Sequence, residues 1–332
     1  MAIERVIVVG GGAWGTALAA ATRRAGRAVT VWAREAEVVE AIDRDHENSV
    51  FLPGIPLDPE IRATADLARA ADADAVLLVT PVQHTRGVCR DLAPHLRAGA
   101  PVVVCAKGIE SGSSALMSEV VAETLAQARV AVLSGPTFAA EVARGLPTAA
   151  TVAAADMALA EQLARAIGST NFRLYHTADV IGAQVGGAVK NVIAIACGVA
   201  KGRGYGDNTS AALITRGLAE MARLGAALGA RRETLMGLSG VGDLVLTCGH
   251  EQSRNFTLGR ALGRGGALDD YLSGQVSVAE GVASAAAIVA LAGRHGVEMP
   301  IVSAVDAVLN RGADIDQTVA GLLARRFIPE AG

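Results

Sequence analysis

An apolar run, Arg5–Val6–Ile7–Val8–Val9, leads directly into Gly10–Gly11–Gly12–Ala13–Trp14–Gly15. A helix-forming stretch from Thr16 to Ala25 follows, and then a second apolar run, Val29–Thr30–Val31–Trp32. This succession limits the possible folds more than any other part of the chain. A strand with no polar face belongs in a parallel sheet covered on both sides. G-x-G-x-x-G placed between such a strand and a helix is a dinucleotide-binding fingerprint. Gly10 permits the tight turn, Gly12 lets the backbone approach a pyrophosphate, and Gly15 lets helix and strand pack closely. The first N–H groups of the helix then face the anion, and Gly26 reads as the C′ residue that ends it.

Ala33–Arg34–Glu35 follows the second strand, roughly 24 residues past the first glycine, where an acid for the ribose hydroxyls is expected. Arg34 in that place suits a 2′-phosphate, so NADP(H) is the expected cofactor with NAD(H) possible. Glu35 weighs the other way.

More strand-like runs follow: Ala75–Thr80 before Pro81, Pro101–Cys105 before Ala106–Lys107–Gly108, and Val130–Leu133 before Ser134–Gly135–Pro136–Thr137. Helical stretches separate them, which implies a doubly wound parallel sheet. Ligands bind outside the carboxyl ends of such strands, so Thr80, Lys107, Ser134 and Thr137 are expected to gather at one site. After two further runs, 148–152 and 172–175, the chain turns helical, with Asp179 as an N-cap. The expected fold is α/β: an N-terminal Rossmann-like domain, 1–178, and an all-α catalytic and substrate domain, 179–332.

Gly186 to Ile195 contains Lys190 inside an apolar helix. An ammonium in such a place pairs with an acid or loses proton affinity; a lysine reaching to the surface from a helix edge is the structural alternative. Lysine occurs only as Lys107, Lys190 and Lys201, while arginine is abundant. Lysine can give up its proton and arginine effectively cannot. Asp243, isolated among glycines and apolar residues in Leu238–Thr247, is the best candidate partner for Lys190, with a turn or N-cap aspartate as the structural alternative. Ser253–Arg254–Asn255 can offer several donors to one phosphate, although taken alone the stretch reads as an exposed loop.

Net charge is −3, without the basic excess of a nucleic-acid or membrane-surface binder. Cys89, Cys105, Cys197 and Cys248 are widely spaced, with no metal-ligand pattern, and read as buried thiols in a reducing cytoplasm. Glu4 and the three glycines argue against a signal peptide. No stretch is expected to have the length and polarity of a membrane span.

The motifs GGGAWGTALA, FLPGIPL, AKGIE, SGPTFAAEVARGLPTA, IGAQVGGAVKNVIAIACG, SAALITRGLAEM, LGAALGA, GLSGVGDLVLTC, QSRNFTLG and HGVEMPI occur in this order from Gly10 to Ile301. Together they resemble the bacterial NAD(P)-dependent glycerol-3-phosphate dehydrogenase family. The resemblance implies interconversion of dihydroxyacetone phosphate and sn-glycerol 3-phosphate, supplying phospholipid synthesis, with Lys190 as proton donor and acceptor. It implies substrate contacts at Lys107, Gly135, Thr137, Lys190, Asp243, Ser253, Arg254 and Asn255. It adds cofactor contacts at Ala13, Trp14, Arg34, Lys107, Ala139, Arg254, Val278 and Glu280 to the glycines Gly10, Gly12 and Gly15. Ala13 stands where the family usually has serine, and QVSVAEGV around Glu280 is longer than the family's form. No metal, nucleic acid or membrane span is expected, and a homodimer is the expected assembly. A related dehydrogenase of another small oxo or hydroxy acid, or a non-catalytic NADP(H) sensor, is the alternative.

Overall fold

The structure, a computed structural model, describes residues 2–273 and 279–326; the position expected at Val278 lies outside the described residues. Among the described residues ten strands form: β1 Arg5–Val9, β2 Ala28–Trp32, β3 Glu47–Asn48, β4 Leu52–Pro56, β5 Arg62–Thr64, β6 Ala75–Leu78, β7 Pro101–Val104, β8 Arg129–Ser134, β9 Thr148–Ala153 and β10 Phe172–Thr177. Eight of them make one sheet, in the order β10-β9-β8-β7-β6-β1-β2-β5, and β3 pairs with β4 in a separate hairpin. Alternate residues of each central strand serve opposite faces. Val6 and Val8 of β1 belong to one buried apolar cluster and Ile7 and Val9 to another. Both faces are therefore covered, and this is why these strands have no polar face.

The strands from β5 across to β8 are mutually parallel, but β9 runs antiparallel to β8, and β10 is parallel to β9. The sheet is thus mixed where alternation alone predicts a parallel one. A parallel crossover needs a dozen or more residues that return along the sheet. After β8 the chain instead makes the short helix Ala139–Ala143, which packs on the fingerprint helix Ala13–Arg24. The Arg24 guanidinium donates to the carbonyls of Val142 and Ala143 and fastens the two helices together.

The chain leaves β1 for β2 on one side and later enters β6 on the other. The switch in strand order between β1 and β6 opens a crevice at their carboxyl ends.

Helix Val180–Gly202 begins at Asp179, whose Oδ1 accepts from Gly182 N at 2.8 Å and whose Oδ2 accepts from Arg231 N at 2.8 Å. It crosses helix Arg254–Gly263 at near backbone contact. A Cβ at Gly198 would stand 2.1 Å from the Phe256 carbonyl oxygen, and one at Gly259 would stand 2.1 Å from that of Ile195. Contrary to the sequence expectation, Val180–Gly202 does have the length and composition to cross a membrane, with mean hydropathy 1.6. The apolar surface is used internally: 83% of that window is buried against the rest of the protein.

Candidate active site

The fingerprint turn forms as its glycines require. Gly10 has φ of +129°, and a Cβ there would meet the Val79 carbonyl oxygen at 2.7 Å; one on Gly15 would meet the Gly10 oxygen at 1.8 Å. The turn is thus wedged between β6 and its own helix. Gly12 differs, since among the described residues no atom beyond its own chain neighbours lies within 4 Å of where its Cβ would be. It caps helix Ala13–Arg24 without any side-chain hydrogen bond, leaving the N–H groups around Ala13 and Trp14 for another acceptor. The Trp14 indole N–H is also buried, with no partner among the described residues. Open space at Gly12, uncapped N–H groups and an unmet donor fit the pyrophosphate of a dinucleotide.

At the end of β2, Ala33 packs against Gly11. Arg34 next to it is exposed and donates to Glu35 Oε1 from Nη2 at 2.8 Å and from Nε at 3.1 Å. Ala139, half-buried, opens the short helix facing the fingerprint helix.

Three of the four polar residues expected beyond the strands meet. Lys107, after β7, donates from Nζ to Gly135 O at 2.7 Å, Thr137 Oγ1 at 3.2 Å and Asp243 Oδ2 at 2.7 Å. Gly135 has φ of +141°, which turns its carbonyl to the ammonium. The Ser134 hydroxyl is buried, faces Gly187 of the lysine helix and has no partner among the described residues. Thr80 does not join them. Its hydroxyl pairs with that of Thr85 at 3.1 Å, and Thr85 reaches back to the Pro81 carbonyl, so this residue shapes the turn after β6.

Lys190 is 7% exposed. Its Nζ donates to Asp243 Oδ1 at 2.6 Å and to Thr247 Oγ1 at 2.8 Å. Asp243 thus places one carboxylate oxygen on each lysine, and the two ammonium groups share a buried counterion. Burial lowers the Lys190 pKa to about 8; Asp243 opposes the shift and the Lys107 charge adds to it. An ammonium has three N–H groups. Those of Lys107 are all engaged, whereas Lys190 keeps one with no partner among the described residues.

Ser253 caps helix Arg254–Gly263, with its Oγ accepting from Phe256 N at 3.2 Å. Arg254 is exposed on the first turn. Asn255 is buried: its Nδ2 donates to Asn191 Oδ1 at 3.0 Å and its Oδ1 accepts from Gly281 N at 3.0 Å. Asn191 in turn donates to the Lys107 carbonyl at 3.1 Å. A polar chain therefore runs from the serine-capped helix to Lys107. Glu280 sends its carboxylate to Val82 N at 3.2 Å, beyond β6, and burial raises its pKa.

Thr247 and Asn191 were not singled out from sequence. Thr247 lies four residues after Asp243, the spacing that puts both on one helix face, and its hydroxyl also donates to Asp243 Oδ1 at 3.3 Å. Asn191 has no such signal: its neighbours come from distant parts of the chain. Among the described residues no cluster of three or more His, Cys, Asp or Glu side chains is placed to hold a metal ion.

The chain matches two family models, the N-terminal domain of NAD-dependent glycerol-3-phosphate dehydrogenase over residues 5–160 and its C-terminal domain over residues 179–320. It is 58% identical over 330 residues to glycerol-3-phosphate dehydrogenase [NAD(P)+] of Parvibaculum lavamentivorans, covering 99% of each chain. It is 57% identical to the protein of the same name from Caulobacter vibrioides, covering 100% of each. The crystal structure of glycerol-3-phosphate dehydrogenase from Coxiella burnetii superposes with a TM-score of 0.93 at 37% identity, covering 97% of this chain and 99% of that one.

Proposed function

The chain belongs to the NAD-dependent glycerol-3-phosphate dehydrogenase family, and from that premise we propose how its residues divide the work. The enzyme interconverts dihydroxyacetone phosphate and glycerol 3-phosphate, with NAD(P) as the hydride carrier. The cofactor, when bound, supplies or takes up hydride at its nicotinamide ring.

Lys190 is the proton donor in reduction and the acceptor in oxidation. The observation that carries this reading is its uncommitted third N–H: Asp243 and Thr247 hold the other two, so Nζ is aimed while one proton is left for a substrate oxygen. With a pKa near 8 the group exchanges protons close to neutrality. Lys107, with every N–H engaged, contributes a fixed positive charge beside the developing alkoxide. For it to touch substrate it must release an acceptor, and Thr137, the longest contact at 3.2 Å, is the one to yield. Arg254, exposed at the mouth, binds the substrate phosphate, and Ser253 and Asn255 set its position. Binding energy from the phosphate then orients the carbonyl. Gly135, Thr137 and Asp243 complete the substrate side. Gly10, Gly12, Gly15, Ala13, Trp14, Ala139 and Glu280 line the cofactor side.

NADP(H) is the preferred cofactor in this reading, supported by the exposed guanidinium of Arg34 at the end of β2. Glu35, paired to Arg34, moderates the preference by competing with a 2′-phosphate. Arg34→Ala is expected to lower the NADPH/NADH ratio of kcat/KM; an unchanged ratio would remove the assignment. The four unpaired, buried cysteines support a reducing, cytoplasmic setting.

The decisive assay follows NADPH oxidation with dihydroxyacetone phosphate. Lys190→Ala should reduce kcat by about 10²- to 10⁴-fold while leaving cofactor affinity close to that of the parent. A Lys190→Ala enzyme of normal kcat would end this mechanism.

A further inference from the structure

The fingerprint turn contains three successive glycines, and a backbone with no side chains can rotate its peptide planes at little steric cost. Rotation matters here more than elsewhere. In a planar trans peptide the C=O and the following N–H point in opposite directions. Flipping the Gly11–Gly12 unit would therefore turn a carbonyl oxygen toward the pyrophosphate and take the Gly12 N–H away from it.

One side chain opposes that flip. Asn48, on β3, is fully buried, with 0% exposure. Its Nδ2 donates to the Gly11 carbonyl at 2.7 Å and to Thr16 Oγ1, on the first turn of the fingerprint helix, at 2.7 Å. Its Oδ1 accepts from Phe51 N at 3.0 Å. That last bond fixes which end of the amide is which, because only the oxygen accepts from an N–H. Asn48 thus joins the residue before the helix cap to the turn after it, across the N–H groups that meet the anion. On its other side Gly11 rests on Ala33 and Val38, where a Cβ would stand 2.6 Å from the Ala33 side chain.

We propose that Asn48 is a positioning residue for the cofactor: it locks the Gly11–Gly12 peptide in the orientation that binds the pyrophosphate, before the cofactor arrives. The proposal rests on the dinucleotide-binding reading of the crevice and extends it to a residue outside the glycine motif. It also gives the β3–β4 hairpin a task, since the hairpin carries Asn48 to the fingerprint.

Asn48→Asp keeps the shape and the acceptor for Phe51 but cannot donate to Gly11; Asn48→Ser is a milder loss. Steady-state kinetics and thermal melting of both are compared with the parent. Loss of the lock is expected to raise KM for NAD(P)H about tenfold or more, with kcat and KM for dihydroxyacetone phosphate within about threefold. A folded variant whose cofactor KM stays at the parent value while its melting temperature falls would show a structural role only, and would overturn the proposal. So would an equal loss in every kinetic parameter. The parent enzyme supplies a second readout that needs no variant, amide hydrogen exchange with and without NAD(P)H. Cofactor should slow exchange at residues 12–15 and leave residues 48–51 unchanged, because their bonds are already made. Protection of 48–51 that appears only with cofactor would contradict a preformed lock. A parent protein that fails to bind NAD(P)H at all would instead refute the reading of the crevice.

Discussion

Asp243 is the residue on which the proposed site turns, because its two oxygens separate two lysines that would otherwise repel each other. Asp243→Asn should leave both ammonium groups without their counterion and push the Lys190 pKa below its parent value of about 8. The pH profile gives the sign. In the proposed mechanism reduction needs protonated Lys190, so kcat/KM for dihydroxyacetone phosphate should fall as pH rises through about 8. Oxidation by the same route needs the neutral amine, so its kcat/KM should rise over the same interval. In the Asp243→Asn enzyme the falling limb should move to lower pH, with kcat at its optimum reduced by about 10²-fold or more. A limb that stays in place would mean that Lys190 is not the group being titrated.

Between elements, close backbone contact and buried caps dominate. Helices Val180–Gly202 and Arg254–Gly263 touch through glycines, and this crossing brings Asn191 to hydrogen-bond distance of Asn255. A Cβ at Gly259 would stand 2.1 Å from a backbone oxygen, which cannot swing aside as a flexible side chain would. Gly259→Ala should therefore destabilise by about 1–3 kcal/mol and lower the melting temperature. Gly293, inside helix Glu280–Arg294, has no atom of the described residues outside its own helix backbone within 4 Å of a Cβ. Gly293→Ala should stabilise by about 0.4–1 kcal/mol. The two alanines thus separate a packing glycine from an entropic one by opposite shifts in melting.

Glu220 is a cap supplied from another helix. It is 2% exposed and accepts from Ile301 N at 2.7 Å and Val302 N at 3.2 Å, at the start of helix Pro300–Arg311. Burial raises its pKa, against the pull of those two N–H groups. A carboxyl with a raised folded pKa contributes most stability below its unfolded value of about 4.3 and loses it as pH rises through the folded value. Glu220→Gln keeps an acceptor without the charge. Its melting temperature should decline less than the parent's as pH rises above the unfolded value of about 4.3, and an equal decline would show that Glu220 stays ionised in the folded state at no cost.

At the scale of the molecule, the two halves do not have separate interiors. Ile109 and Leu116, which follow β7, belong to the apolar cluster of the helical half, while Ala183 of the lysine helix belongs to a cluster under the sheet. Glu280 reaches across to Val82. Calorimetry should accordingly show one unfolding transition, and NAD(P)H at about 100 times its Kd should add about 2.7 kcal/mol to stability. Two transitions, only one of them shifted by cofactor, would show that the halves unfold separately. The four cysteines are buried, and burial raises the pKa of Cys89, Cys105 and Cys248. They should react with a thiol reagent only after unfolding.

Local physics made much of this protein legible in one dimension. An unbroken apolar strand, a glycine turn and a helix can satisfy their backbone and bury their surface in few ways, so β1, the fingerprint and β2 could be read within a residue or so. A lone lysine in an apolar helix and a lone aspartate among glycines announced a pair, because a buried charge needs its opposite. Other features depend on which distant groups come together. The antiparallel entry of β9 follows from where the Ala139–Ala143 helix docks, not from the composition of β9. Thr80 and Thr137 carry the same hydroxyl after similar strands, yet one closes a turn and the other binds Lys107. Asn48 sits in a stretch with no motif of its own, and its importance comes from Gly11, 37 positions away. The sequence alone thus determined the nucleotide-binding sheet and the presence of a buried lysine, since each is a matter of local polarity and backbone freedom. Only the tertiary structure decided which N–H of each lysine was already committed and what held the glycine turn in place, because hydrogen-bond partners are set by position in space.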